Sequence, residues 1–373
     1  MTPQEELSIK HARVVEFLDE QGLDGVLLTR RCNFSWYTGG GQNYVNMAAE
    51  PGVATLLVTL DGATCLSANI ESGRMADEEL AGLGIESVGY AWHDGSAAAA
   101  AAAEAIGSRH VAADEPLPFF PDRVKPMPGG FDALRWSLTA AEVERYRALG
   151  RDVSEVFEST LTGDACRAGD PEYAWAAAVT GGLRARDIRT WVCLVAADER
   201  IANYRHPIPT HRPVRNVVLV AACGERGGLI CSITRIVSFR PVNDELARKQ
   251  QAVCTVDAAM FESTRTGTTL GNVWDATVRA YDEVGFADQW RFHHQGGSTG
   301  YLTRDAKALP GSTVPIFDHQ AFAWNPSITG TKSEDTILTV GEGTEVLTAP
   351  LHWPTLDVKT ARGTLARPDI LVR

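Results

Sequence analysis

The sequence predicts two mixed domains, an α/β domain over residues 1–130 and a larger α/β or α+β domain over residues 131–373. Three observations carry this. Helix-like and strand-like runs alternate along the chain, the pattern of layered architectures in which helices cover sheets. A proline-rich stretch, EPLPFFPDRVKPMPGG from Glu115 to Gly130, has the composition of a domain connection. A chain of 373 residues with 44% apolar and 22% charged content can bury two separate cores and is too balanced to be disordered or fibrous.

Taken in order, Thr2 and Glu5 form a capping box, Leu7, Val14, Val15 and Leu18 recur at near-helical spacing, and Gly22 supplies a stop, so a surface helix opens the chain. GVLLT, from Gly25 to Thr29, is β-rich and leads into RRCNFSWYTGGGQNY, whose Gly39-Gly40-Gly41 run has the backbone freedom to approach a ligand. VATLLVT and ATCLSA read as strands around an Asp61-Gly62 turn. The alanine run from Ala97 to Ala103 reads as a helix rather than a linker, because alanine loses least on becoming helical. Beyond the proline-rich stretch, Thr139-Ala-Ala-Glu142 is a second capping box, opening a long amphipathic helix. LVAACGERGGLICSITR, Leu219 to Arg235, reads as two buried strands joined by a Gly-rich turn. No repeat of short period is present.

Charge and cysteine usage narrow the function classes. A net charge of −12 spread along the chain argues against a nucleic-acid or anionic-membrane surface, since both require concentrated Lys and Arg. A small-molecule or protein partner is expected instead. The N-terminal residues have no cationic flank followed by an apolar run, and no window holds about 18 uninterrupted apolar residues, so a cytoplasmic protein is expected. The seven cysteines are odd in number and form no CxxC pair, as expected for buried thiols in a reducing compartment. Cys223 and Cys231, both in the Leu219–Arg235 segment, are the candidates for a catalytic thiol.

Six short segments give the chain a family resemblance. NFSWYTGG, the LTAAEVERYR helix, YRHPIPT, the SITR turn, HHQGGSTGY and KSEDTILTV occur in the order seen in the creatinase, aminopeptidase P and prolidase family. The chain resembles that family over nearly its whole length. The resemblance implies a small creatinase-type N-terminal α/β domain followed by a pita-bread C-terminal domain. It also implies a homodimer in which the N-terminal domain of one chain, through Tyr37 and Tyr44, closes the active site of the other.

In the metallopeptidases of this family two metal ions are held by two Asp, one His and two Glu, and the water they activate is the nucleophile. Laid onto this chain, those positions fall at Ala221, Ser232, Gly297, Asn325 and Glu334. Only Glu334 is a carboxylate. One acid cannot hold a dinuclear centre, so no metal and no cofactor are expected. His293 and His294 lie close to the Gly-rich run, but adjacent side chains of an extended segment point to opposite faces, which disfavours a chelating pair.

What the resemblance leaves is His206, in Tyr204-Arg-His206-Pro-Ile-Pro-Thr210. Creatinase, a metal-free member, uses the corresponding histidine for proton transfer, and an imidazole titrating near neutrality can serve as general acid/base. Glu334 is the other group able to move a proton. The two glutamates that face the guanidinium in creatinase match Thr234 and Asn325, which disfavours a cationic substrate. The family's second active-site histidine falls at Arg304, and Arg235 follows the SIT turn. With Ser232 also in the substrate-binding set, Trp324 and Trp191 as flat walls and Tyr37 closing the site from the partner chain, these residues suit a carboxylate-bearing, neutral-amide substrate. The expected function is metal-independent cleavage of a C–N bond of a small polar metabolite with His206 as general acid/base. The alternatives are a non-catalytic binding module of the same fold, or a lyase, decarboxylase or rearrangement enzyme using the same histidine.

Overall fold

The computed structural model describes residues 1–116 and 124–373 and divides into two compact units, Met1–Glu142 and Val143–Arg373. The first unit contains α1 (Pro3–Gln21), β1 (Gly25–Arg30), α2 (Arg31–Thr38), β2 (Pro51–Thr59), β3 (Ala63–Ala68), the short α3 (Ser72–Arg74), β4 (Glu86–Tyr90), α4 (Gly95–Ile106), β5 (Val111–Ala113) and β6 (Val124–Pro126). Its six strands form one sheet in the order β4-β3-β2-β1-β5-β6. Thr2 and Glu5 close the expected capping box, and Gly22 ends α1 in the left-handed conformation at φ 62°. The alanine run is helical, as α4. Of the proline-rich stretch, residues 117–123 lie outside the described residues, and Val124–Pro126 pairs in parallel with β5.

Two features of this unit depart from the expected loop after β1. Arg31–Thr38 is a helix, α2, buried along its whole length. Tyr37 is 1% exposed and its hydroxyl sits 2.9 Å from His11 Nδ1, so it packs in the core and lines no cleft. Gly41 is in a tight spot: a Cβ there would lie 2.6 Å from Thr38 Oγ1. The exposed part of this region is the stretch after Tyr44, with Val45 and Met47 open to solvent. The unit is anchored by Lys10 of α1, which is fully buried. Its ammonium bonds Glu6 Oε1 at 2.6 Å, the Trp36 carbonyl, and Glu142 Oε1 at 2.9 Å.

The second unit contains most of α5 (Ala140–Thr162), then α6 (Glu172–Arg184), β7 (Arg189–Ala197), α7 (Arg200–Asn203), β8 (Val217–Arg226), β9 (Leu229–Ser238), α8 (Asp244–Ser263), α9 (Leu270–Glu283), β10 (Gly296–Thr299) and β11 (Ala306–Lys307). It continues with β12 (Ala321–Trp324), β13 (Ser327–Ile328), β14 (Thr331–Lys332), β15 (Asp335–Val340), β16 (Gly343–Val346), β17 (Thr355–Thr360), β18 (Gly363–Pro368) and β19 (Leu371–Val372). Two sheets dominate, one in the order β19-β9-β8-β7 and the other β11-β10-β12-β15-β16. Leu219–Arg235 forms the expected hairpin, its turn made by Gly227 and Gly228 at φ 57° and 82°. α8 and α9 cover the second sheet through a core that includes Val253, Phe261, Tyr281, Phe322, Trp324 and Ile337.

The two sheets are joined where β9 meets β15. The Ser232 amide donates to Thr336 Oγ1 at 2.7 Å, the Thr336 hydroxyl donates back to the Ser232 carbonyl at 3.0 Å, and the Thr234 amide donates to the Glu334 carbonyl at 3.1 Å. These bonds bring the Ser232–Thr234 stretch of one sheet beside Glu334 of the other.

Lys10→Ala is expected to destabilise the first unit by about 3–5 kcal/mol, because it leaves buried carboxylates without their cation. Guanidinium denaturation followed by tryptophan fluorescence measures this, and a midpoint equal to wild type would show that the buried triad carries no stability.

Candidate active site

The five positions where the family's metal ligands belong fall around the sheet junction, and the residues present do not fit a dinuclear metal centre. Ala221 on β8 has a methyl in place of a carboxylate and belongs to a small apolar cluster with Leu194 and Ile236. Ser232 on β9 is fully buried, its hydroxyl 3.3 Å from Cys223 Sγ. Gly297 on β10 is held so close to β11 that a Cβ would lie 1.9 Å from the Ala306 carbonyl oxygen. A histidine at that position therefore has no room unless β11 moves. Asn325 is buried and neutral. Glu334 remains, but its Oε2 already accepts from the Thr234 hydroxyl at 2.6 Å and from Lys332 Nζ at 2.6 Å, and Arg304 Nη2 lies 3.6 Å from Oε1.

His206 lies on the loop after α7, and buried Glu172 holds this loop in place. Glu172 pairs with Arg200 and accepts from the Thr210 amide at 2.8 Å, the Thr210 hydroxyl at 2.8 Å and the Ala197 amide at 2.8 Å. Arg200 in turn donates to the Ile208 carbonyl at 2.9 Å. Both ends of the His-Pro-Ile-Pro turn are thus tied to one carboxylate, with Pro207 and Pro209 limiting the backbone between them. His206 itself is exposed.

Two further histidines come to His206 from before β10. His293 Nε2 lies 3.2 Å from His206 Nε2, and His293 Nδ1 lies 3.4 Å from Ser327 Oγ. The ring centroids of His293 and His294 are 4.7 Å apart, and His294 lies 5.8 Å from His206. Against the expectation that adjacent side chains of an extended segment disfavour a chelating pair, the two rings come together. His293 has extended backbone at φ −155° and ψ 144°, yet both rings turn to the same side, where His206 faces them. His293 is anchored from behind by Gln295, whose amide donates to the His293 carbonyl while its oxygen accepts from the Tyr281 hydroxyl at 3.0 Å.

Electrostatics around this cluster favour neutral imidazoles. Burial, then Lys332, push His293 down to about 2; burial, then Arg304, push His294 down to about 4. His206 is also lowered from the ordinary 6.5, by burial first and then Lys332, with Glu334 pulling the other way. Burial by itself would raise Glu334, but Lys332 and Arg304 outweigh it and hold the carboxylate below its usual range. Buried polar atoms stay unsatisfied at these groups, among them Arg304 Nε, His294 Nδ1 and Asn325 Oδ1.

Several expected site residues are placed elsewhere. Arg235 is 1% exposed and pairs with Asp335 Oδ1 at 3.1 Å and the Thr348 carbonyl at 2.9 Å, so it is structural and unavailable to a substrate. Trp324 is fully buried, stacked on Phe322 and bonded through Nε1 to Thr264, so it is core rather than cleft wall. Trp191 is partly exposed on β7 and donates to Glu225. Cys223 has its thiol pushed up by burial, which removes thiolate character at neutral pH. The sequence reading missed Lys332, although Lys-Ser-Glu places it two residues before Glu334, on the same face of an extended segment. A cavity of about 660 Å³ lies in the first unit, bordered by Arg30, Asp114, Lys125 and Gly130, and brings together no imidazole.

Comparison with known proteins agrees with this architecture. The family model described as metallopeptidase family M24 matches residues 144–342, and that of the creatinase/prolidase N-terminal domain matches residues 10–124. No curated protein matches the chain in sequence. Among solved structures, the Xaa-Pro dipeptidase from Bacillus anthracis is 18% identical with a TM-score of 0.78, covering 98% of this chain and 100% of its own. The prolidase from Pyrococcus horikoshii OT3 is 17% identical with a TM-score of 0.77, covering 92% and 98%. The N-terminal domain of the FACT complex subunit SPT16 from Cicer arietinum is 13% identical with a TM-score of 0.69, covering 92% and 97%. At these identities the likeness speaks for the fold.

Gly297→Ala is expected to lower stability by about 1–3 kcal/mol or more, since the added methyl meets backbone rather than a movable side chain. Chemical denaturation checks it; an unchanged midpoint would mean that β11 yields readily and that the histidine position is not closed by packing.

Proposed function

The chain belongs to metallopeptidase family M24, and from that premise we propose that it is a hydrolase cleaving a C–N bond of a small polar, carboxylate-bearing metabolite, without the family's metal pair and with His206 moving the proton. The observation that carries this reading is the contrast within one site. Four of the five ligand positions hold Ala221, Ser232, Gly297 and Asn325, whereas His206, Arg304 and Glu334 supply a base, a cation and an anion. In this reading neutral His206 takes a proton from the attacking water and returns it to the departing nitrogen. The unsatisfied Arg304 Nε–H meets a carboxylate or carbonyl oxygen, and Asn325 Oδ1 accepts from a substrate N–H. Glu334, fixed by Thr234 and Lys332, orients Arg304 and stands as the second carrier of a proton. Ser232 and Thr234 shape the floor beneath.

A binding role without catalysis is the second reading, favoured by the same loss of ligands. A lyase, decarboxylase or rearrangement enzyme would use His206 in the same protonation state. We place the protein in the cytoplasm, in keeping with seven free cysteines and with the lack, among the described residues, of a helix long and apolar enough to cross a membrane. We further propose a homodimer in which the exposed stretch from Tyr44 to Met47, rather than Tyr37, reaches the partner's cleft. Sedimentation at micromolar concentration is expected to give a dimer, and a monomer would remove the shared-site arrangement.

The kinetic test uses dipeptides, N-acyl and N-alkyl amino acids. His206→Gln is expected to lower kcat about 10²-fold or more, in line with general acid/base groups, while substrate binding by calorimetry survives. Wild-type turnover is expected to persist in a chelator. Because the neutral imidazole is the active form and its pKa is lowered, kcat/KM should rise with pH through an ionisation below 6.5 and then level off. Turnover lost on chelation, or retained in His206→Gln, would overturn the mechanism; ligand binding with no turnover of any substrate would favour the binding role.

A further inference from the structure

We propose that His206, His293 and His294 form a three-imidazole site for a late first-row divalent metal ion, zinc foremost, separate from the family's carboxylate centre, and that its occupation inhibits the protein. The site itself stands on geometry alone. The inhibition rests on the function proposed above, because metal on His206 takes the lone pair that would accept a proton.

The donor atoms converge from two separate parts of the chain, and the ligand nitrogens of the three rings all lie within 4.8 Å of one another. Two nitrogens on neighbouring corners of a tetrahedral zinc ion, each at about 2.0–2.1 Å, are about 3.3 Å apart. His206 Nε2 and His293 Nε2 are 3.2 Å apart. In the metal-free protein one of these facing nitrogens must carry the proton that bonds them. A metal ion takes the place of that proton, which moves to Nδ1 of the same ring; each ring then carries its single N–H on Nδ1 and no net proton is released from the pair. For His293 the Nδ1 side already has its partner in Ser327 Oγ, the outer-shell contact that fixes ring orientation in histidine metal sites. His294 contributes an idle donor: its Nδ1 is buried and has no hydrogen-bond partner.

Two considerations set the character of the site. His293 is buried and held by Ser327 and Gln295, whereas His206 is exposed and His294 half-buried, so those two can turn inward to close the remaining spread. The cations near the cluster, Arg205, Arg304, Lys307 and Lys332, oppose a positive ion, and Glu334, the acid that acts on His206, is already paired. Hard ions such as Mg²⁺, which depend on anionic oxygen, are therefore excluded, and imidazole-preferring Zn²⁺, Co²⁺, Ni²⁺ and Cu²⁺ are selected. With three imidazoles bound, a fourth position would be left for water or an anion, which exposed His206 leaves accessible.

The test titrates Co²⁺ into tag-free, chelator-treated full-length protein. Expected is the visible absorption of tetrahedral Co²⁺, saturating at one equivalent per chain, bleached by Zn²⁺ and untouched by Mg²⁺. His294→Gln, and independently His293→Gln, should weaken binding by more than the roughly 10- to 100-fold that loss of an outer-shell partner causes. Circular dichroism confirms folding, and half-buried His294 keeps the test decisive should the buried variant unfold. Absence of a saturable band, or a band of wild-type strength in a folded His294→Gln protein, overturns the site. Saturating Zn²⁺ should suppress turnover. Zn²⁺ that binds but leaves turnover unchanged or raises it overturns the inhibition and the metal-independent mechanism while the site stands.

Discussion

The architecture of the second unit depends on the buried carboxylate of Asp335. It accepts from Arg235 at 3.1 Å, Arg367 at 2.6 Å and the Thr348 hydroxyl at 2.7 Å, with both arginines and the acid fully enclosed. Arg367 also pairs with Asp257 at 2.6 Å. One side chain of β15 thereby binds β9, β18 and, through Arg367, α8. A buried charge is costly when alone, so this network tolerates loss of none of its members easily. It fixes the position of β15 against β9, and side chains of successive residues in extended chain point to opposite faces. With Asp335 committed inward, Glu334 is presented on the other side, toward Thr234, Lys332 and Arg304.

That constraint explains why Arg235, although it follows the SIT turn, is no substrate ligand. Its guanidinium is consumed in holding the sheets together, and a ligand that drew it away would strand Asp335. Arg304 differs because it stands 3.6 Å from the acid it faces, Glu334, and is partly open to solvent, whereas the Arg235 guanidinium is sealed between Asp335 and the Thr348 carbonyl. Two arginines with similar sequence claims are thus separated by the hydrogen bonds each already makes.

Much of the fold was legible in the sequence because its signals are local. The capping boxes at Thr2 and Thr139, the stop at Gly22, the Gly227-Gly228 hairpin turn and the helical alanine run depend on backbone and near-neighbour chemistry that a short window contains. His206 and Glu334 were singled out through the motifs around them, and the structure brings them close enough to interact electrostatically. Tyr37 and Trp324 were misplaced because burial is decided by tertiary packing: α2 is enclosed on every side, and Trp324 faces α8 rather than the cleft. The histidine pair failed for a related reason. Alternation fixes where Cβ atoms point, but the rings of His293 and His294 reach a common side by rotating about their side-chain bonds, and the partner that makes this consequential lies 87 residues away.

The substitutions at the sheet junction also reverse the charge of the site, which bears on what can bind there. The resemblance places four carboxylates at these positions; three are replaced by Ala221, Ser232 and Asn325, none of them charged. The cations remain. Arg304, Lys307 and Lys332 act on His206 and His294, and Lys332 with Arg205 on His293, while Glu334, the counter-charge acting on His206, is already held by Thr234 and Lys332. A cluster of histidines kept neutral by surrounding positive charge gains from an anion and gains nothing from a guanidinium or ammonium group. The same arithmetic applies to a bound metal ion: its imidazole bonds must outweigh repulsion from those cations, and an anion on its open corner would offset part of it. Metal and the proton of the attacking water would therefore compete for the His206 lone pair, while a substrate carboxylate on Arg304 would ease the repulsion on the metal, so the balance is set by how far the exposed His206 ring turns toward His293.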